Sequence, residues 1–278
     1  METKKHEFKL YKASECCVFR KTKELYGGLS NMASGFPIKI NGVHMLSSEA
    51  LYQALRFPHL PDVQEKIIRE KSPMTAKMVG KPYRNNSRAD WNDTRIKIMR
   101  WCLRVKLAQN FIEFGKLLER TCEKPIVEDS SKDNYWGAIR DKQNENILIG
   151  TNALGRLLME LRLFYNENRF TYEMFVVEPL NIPDFKLYGQ PIDTIDEREE
   201  FISFIKNSMR YNEIEHYKTC IPNSKIINQI ENERIVARDP EKTIGKKEEV
   251  KKESKKKTTS KKYIKDNNKF EGQATLPF

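Results

Sequence analysis

Residues 46–57 read LSSEALYQALRF. Ser47 or Ser48 is placed to cap a helix that runs through Ala50, Leu51, Ala54 and Leu55, apolar positions at the spacing of one buried helical face. Glu49 falls in the first turn, Gln53 one turn on and Arg56 another, so these three polar side chains can share a second face. A first-turn Glu has an ordinary explanation, since a negative charge there favours the helix dipole. A Glu–Gln–Arg face bordered by an apolar one also has the parts of a binding site.

Outward from this helix, Asp62 begins another, with Val63, Ile67 and Ile68 inward. A longer helix is predicted over 92–110, with Ile96, Met99, Leu103 and Leu107 on one stripe. Its opposite face, Arg95, Lys97, Arg100, Arg104 and Lys106, reads as solvated or as facing a phosphate backbone. A further helix is predicted over 153–163 through Leu154, Leu157, Leu158 and Leu161, and strands over 36–40 and 174–178. The class is α+β and rich in helix, with no internal repeat. Residues 1–165 form the main domain, and 166–235 an extension packing on it through a helix at about 195–209 (Ile195, Phe201, Ile202, Ile205). From 236 the composition changes. Residues 241–270 hold 12 lysines against five acidic residues and almost nothing apolar, so 236–278 is expected to be a disordered basic tail.

A net charge of +11 favours polyanionic partners, nucleic acid first, although a solvated basic surface gives the same number. The five cysteines form no CxxC pair and the four histidines are scattered, so neither disulfides nor a metal site is expected, and no cofactor. The first 15 residues have no long apolar run, and no stretch approaches the roughly 18 apolar residues of a membrane span. A reducing cytoplasm is the expected compartment.

Breaking an N-glycosidic bond develops positive charge at the ribose C1 carbon. Such a site needs a carboxylate or other nucleophile, a proton for the departing base, a flat surface against it, and donors for any phosphate. Four segments offer these parts. Glu49 and Arg56 lie in the opening stretch. KDNYWGAIRD (132–141) offers Asp133 for a hydroxyl or water and Tyr135 and Trp136 for stacking on a purine, ended by Gly137. GTNALGRLLMELR (150–162) places Asn152 and Gly155 at a helix start, whose free N–H groups suit a phosphate. SPMTAKMVGKPYRNNSRADW (72–91) offers Lys77 and Trp91 among other cations; a lysine becomes a nucleophile when neighbours or desolvation lower its pKa. Each segment alone has a bland reading as a surface, an anchoring ring or a loop.

In this order, with a GGLSNM-like opening at 27–32, FPIKING (36–42), SSEALYQALRF, SPMTAKMVGK, RADW (88–91), DNYWG (133–137) and NALGRLLMELR (152–162), the segments resemble the NADAR (YbiA-like) family over about residues 18–163. The resemblance implies an N-glycosidase acting on ribose-linked nitrogen, since members act on riboflavin-pathway intermediates or remove ADP-ribose from guanine. It maps the family's acidic residue to Glu49, its aromatic residues to Trp91 and Trp136, and its loop acid to Asp133. Asn31, Tyr135, Gly137, Asn152, Gly155 and Arg156 stand in the same motifs and are expected to bind substrate with Arg56. The chain departs from the usual SEHYFQAQKF pattern at Ala50 and Arg56, with a lysine at 77 where arginine is often found. A lysine is proposed in the family to form a Schiff base with the opened ribose, which makes Lys77 the candidate. The Ala50, Arg56, Lys77 set resembles the NADAR domain of DarG-type antitoxins, which reverse guanine ADP-ribosylation by a DarT toxin. ADP-ribosylated DNA is then the expected substrate and a DarT-like toxin a possible partner. The alternatives are a glycosidase on phosphorylated riboflavin intermediates and an inactive module that binds toxin or nucleic acid.

The last six residues, QATLPF, resemble the peptide that bacterial replication proteins use to bind the sliding clamp, with Gln273, Leu276 and Phe278 as anchors.

Overall fold

The computed structural model describes residues 8–203, apart from Phe170, Ile202 and the side chain of Tyr172. These residues belong to the first of the two units into which the chain divides, Met1–Arg210 and Tyr211–Phe278. The expected basic tail, the anchors Gln273, Leu276 and Phe278, and Ile205 lie outside the described residues.

Two strands open the chain, β1 (Lys9–Lys12) and β2 (Cys17–Phe19), followed by a hairpin of β3 (Ile38–Ile40) and β4 (Val43–Met45). The hairpin turns at Asn41–Gly42, both at positive φ, the backbone that an Asn–Gly pair adopts most easily. Three short helices come next: α1 (Ser48–Ala54), α2 (Pro61–Ile68) and α3 (Pro73–Val79). Ser47 is the cap of α1, its side chain accepting from the Ala50 N–H at 3.3 Å, and Ser72 caps α3 in the same way from Thr75. α2 starts on Pro61, one residue before the expected Asp62, because proline fits the first helical turn without losing a bond.

The long α4 (Trp91–Gln109) and α5 (Phe111–Glu119) meet at Asn110, whose backbone leaves the helical region. Then come β5 (Ile126–Glu128), β6 (Ile139–Arg140), β7 (Ile147–Gly150) and α6 (Ala153–Asn168). β1, β7 and β6 form an antiparallel sheet with β7 central, while β5 runs parallel to β2. Beyond α6 the chain forms α7 (Tyr172–Phe175), β8 (Val176–Val177), the pair β9 (Lys186–Leu187) and β10 (Gln190–Pro191), and β11 (Ile195–Asp196), which pairs with β8. The α+β, helix-rich class is the one read from the sequence.

Several details differ from the sequence reading. α4 is not a one-sided amphipathic helix. Ile98, Trp101, Cys102, Val105 and Ala108 are buried besides Met99, Leu103 and Leu107, whereas Ile96 is only half-buried. The helix runs through the middle of the fold, packed by α1, α5, α6 and β8. Its cationic face is engaged except at Lys97, which is exposed. Arg100 pairs with Glu160 at 2.6 Å, Arg104 lies 3.8 Å above the Phe164 ring, and Lys106 is fully buried. The strand expected over 174–178 is confined to Val176–Val177, and Ile195 lies in β11 opposite Val177 rather than in a helix. Helical residues begin at Arg198, after Asp196, whose carboxylate accepts from the Arg198 N–H. α5 was not anticipated, although Phe111, Phe114 and Leu118 recur at helical spacing and are buried.

The boundary expected at residue 165 falls inside α6. Residues beyond it pack on the core. Phe201 stacks on Phe175 at 4.1 Å, Trp101 donates to the Glu178 carbonyl, and the fully buried Gln64 amide donates to the carbonyls of Ala54 and Lys186 and accepts from the Tyr188 N–H. No helix among the described residues is long and apolar enough to cross a membrane.

Candidate active site

A cavity of about 330 Å³ opens between the 30–32 loop, α1, α3, the start of α4, the end of β5 and the 130–136 loop. Glu49, Lys77, Asp133, Asn31, Arg56, Trp91 and Trp136, dispersed over a hundred residues, all line it. So do Glu128, which the sequence reading did not single out, and Arg84 and Arg95, which it placed only among the cations of their segments. A larger depression of about 540 Å³, between the β3–β4 hairpin and residues 193–200, has no arginine in its lining and no aromatic ring besides His44. The smaller cavity holds the chemistry.

Three carboxylates crowd one part of it. Glu49 is buried in the first turn of α1, its N–H bonded to the Asn31 carbonyl and its Oε1 accepting from Gln53 at 2.9 Å. Lys77 Nζ lies 3.9 Å from the same oxygen. Burial pushes the Glu49 carboxyl above the usual carboxylate range and the Asp133 charge adds to this, against the pull of Lys77 and Gln53. Glu128 ends β5, and burial, then the charges of Glu49 and Asp133, push it up to about 7. Its sequence signal was an acid closing an apolar strand, IVE. Asp133 spends Oδ1 on its own loop, accepting from the N–H groups of Tyr135 at 3.0 Å and Trp136 at 2.9 Å.

Arginines form the other pole. Arg56, Arg84 and Arg95 line the cavity, and among the described residues none of them forms an ion pair. Arg56 donates to Ser87 Oγ at 2.6 Å and lies 4.8 Å over the Trp91 ring; burial first, then repulsion from Arg84 and Arg95, lowers its pKa. Arg95 lies 4.2 Å over Tyr135, and its buried Nε finds no hydrogen-bond partner among the described residues. Trp91 is covered by Arg56 and by Tyr52, 5.1 Å away. Trp136 is half-buried and meets Tyr52 and Tyr135 at 79° and 87°, so neither stacks parallel on it. Trp136 is therefore the better surface for a base.

The remaining expected binding residues do not line the cavity, and four of them, Tyr135, Gly137, Asn152 and Gly155, build its walls. Tyr135 supports Arg95. A side chain on Gly137 would come within 2.6 Å of the Glu128 carbonyl, and one on Gly155 within 2.1 Å of the Ile126 carbonyl. Asn152, buried at positive φ, donates to the Ile126 carbonyl and accepts from the Glu128 N–H, which fixes the end of β5. Arg156 is exposed and outside the cavity. At the start of α6, where a phosphate is expected, three of the N–H groups are already bonded within the chain. The N–H groups of Asn152, Ala153 and Leu154 are taken by the carbonyls of Gly137, Tyr135 and Trp136. That helix end holds the DNYWG loop instead, and with it Trp136.

Residues 18–165 match the family model described as the NADAR domain, a little over half of the chain. The chain belongs to the NADAR family. Among curated relatives, the N-glycosidase YbiA of Shigella boydii is 38% identical over 52% of this chain and 84% of its own length, and that of Escherichia coli 37% over the same shares. A riboflavin biosynthesis protein of Vibrio vulnificus is 31% identical over 62% of this chain and 45% of its own length. The solved NMR structure of E. coli YbiA aligns with a TM-score of 0.47 at 34% identity, over 55% of this chain and 86% of that one. The matched NADAR segment spans every residue that lines the cavity, from Ser30 to Leu154. Among the described residues no group of three or more His, Cys, Asp and Glu is arranged to hold a metal ion.

Proposed function

We propose that this NADAR protein is an N-glycosidase that releases ADP-ribose from modified guanine in DNA. The observation that carries the reading is the polarity of the cavity: Glu49, Glu128 and Asp133 at one pole, and Arg56, Arg84 and Arg95, unpaired by any carboxylate among the described residues, at the other. The first pole suits a ribosyl carbon turning cationic, and the second a diphosphate. Trp136 offers a ring to the base. The C1–N bond breaks with its electron pair going to the base. The Glu49 carboxylate stabilises the cationic carbon, Glu128 in its protonated form donates to the departing nitrogen, and water or the Lys77 amine takes the vacant position on C1. A net charge of +11 supports a nucleic-acid substrate. The riboflavin-named relatives favour a second reading, a phosphorylated aminopyrimidine riboside, whose single phosphate needs fewer arginines. Release of ADP-ribose from a modified guanine oligonucleotide, measured beside hydrolysis of the pyrimidine riboside, separates the two. Preference for the riboside overturns the first, and no turnover of either overturns both.

The proton-donor role makes a pH prediction. A carboxyl raised to about 7 holds its proton below that pH and loses it above. The rate should therefore fall as pH rises through about 7, and Glu128→Gln should remove that falling limb while lowering the plateau about 10- to 100-fold. A profile whose alkaline limb persists in Glu128→Gln assigns the proton to another group.

At the opposite pole, Arg95→Ala should raise the KM for an ADP-ribosylated substrate about tenfold or more with less effect on kcat, since ground-state binding of phosphate is lost. An unchanged KM, together with unchanged affinity for free ADP-ribose by calorimetry, removes Arg95 from the phosphate site.

A further inference from the structure

Lys106 is the one lysine among the described residues that is fully buried, two turns beyond Met99 on α4. No carboxylate among the described residues pairs with it. Its Nζ donates to the Gly28 carbonyl at 2.7 Å and the Ser30 carbonyl at 3.1 Å, and sits 4.5 Å and 4.2 Å from the ring centres of Phe36 and Phe114. An amine sunk between two rings costs stability that an apolar side chain would spare, so what it holds is informative. The 28–30 backbone leads directly into Asn31. The Asn31 carbonyl accepts the Glu49 N–H at 3.1 Å, and its Oδ1 accepts from Ser48 Oγ at 3.0 Å. Its amide is anchored to Met99 on the same helix as Lys106. A continuous chain of bonds thus runs from Lys106 through the loop to the first turn of α1.

We propose that Lys106 is a positioning residue: by clamping the carbonyls of Gly28 and Ser30 to α4, it fixes Asn31 and, through Asn31, the place of Glu49 in the cavity. Its turnover arm rests on the glycosidase reading; its structural arm does not. Lys106→Met keeps the length and apolar stem and removes the donors. Val105→Ala, also fully buried and on the adjacent position of α4, is the comparison for a general loss of packing.

In hydrogen–deuterium exchange on the full chain, Lys106→Met should accelerate exchange in peptides covering 27–33 and 47–53 about tenfold or more, with other segments near their wild-type rates. Val105→Ala should not show that pattern. In turnover of the ADP-ribosylated oligonucleotide, Lys106→Met should lower kcat about 30-fold or more while KM stays within about threefold, because a catalytic group is displaced and substrate binding is not. Uniform acceleration over the whole chain, or a kcat no lower than that of Val105→Ala, overturns the proposal. If wild type does not turn over the ADP-ribosylated oligonucleotide, the activity reading fails and the exchange pattern decides the clamp by itself. If Lys106→Met does not fold, nitrogen-15 labelling of lysine side chains in the wild-type chain decides it. The Lys106 amine protons should exchange about a hundredfold more slowly than those of exposed lysines, and solvent-like exchange refutes the bonds.

Discussion

Glu49→Gln is expected to lower single-turnover release of ADP-ribose by about a thousandfold or more, with the fold intact. The amide matches the carboxylate in shape and can still meet Gln53, so what is lost is charge. A buried carboxylate beside a carbon turning cationic acts where water does not screen it, and about 4 kcal/mol of lost transition-state stabilisation corresponds to that rate. The variant has a second signature. The Glu49 charge is one of the forces holding Glu128 near 7, so its removal should move the alkaline limb to lower pH. Stability should move the other way. A carboxyl whose folded pKa is raised destabilises the fold as pH climbs from its unfolded value through the raised one. The neutral amide escapes this, so at pH 8 the variant should melt no lower than wild type. Activity within about tenfold of wild type would remove Glu49 from the reaction.

How far the sequence led can be traced residue by residue. The α1 helix was legible because its cap and its apolar spacing lie within one short stretch, and that stretch also held Glu49, Gln53 and Arg56. α4 was legible in extent but not in setting. Its cations suggested solvent, yet long side chains can fold their stems onto rings, as Arg104 does on Phe164, or sink entirely, as Lys106 does. Strands of two to four residues, such as β2 and β5, are too short for alternation to show, and their pairing joins residues a hundred positions apart. Glu128 stayed hidden for that reason, since nothing local distinguishes it from any acid that ends a strand. Motif membership and cavity contact also proved different things. Gly137, Asn152 and Gly155 stand in the most family-like segments, and they serve backbone packing around β5.

Lys77 carries the other large expected effect. It projects from α3 into the cavity, its side chain 39% exposed and its amine 3.9 Å from Glu49. Two roles fit that position, a counter-ion to the carboxylates and a nucleophile toward the sugar. In the second, the amine bonds to C1 as the base departs and gives up a proton, and the ring oxygen then leaves C1 as a hydroxyl, opening the ribose to an imine. Hydrolysis of that imine returns free lysine and ADP-ribose. Borohydride added during turnover reduces that imine to a stable secondary amine, so the chain should gain the mass of the sugar adduct at Lys77. Lys77→Ala should lose about a hundredfold or more in kcat. Lys77→Arg separates the roles, because the guanidinium keeps the charge beside Glu49 and cannot take the reactive neutral form. If the amine is the nucleophile, Lys77→Arg should remain nearly as impaired as Lys77→Ala and trap nothing. Recovery of wild-type turnover in Lys77→Arg, with no adduct in the wild-type chain, makes Lys77 a counter-ion and leaves water to attack C1. An adduct that maps to a different lysine, or full activity in Lys77→Ala, ends both roles.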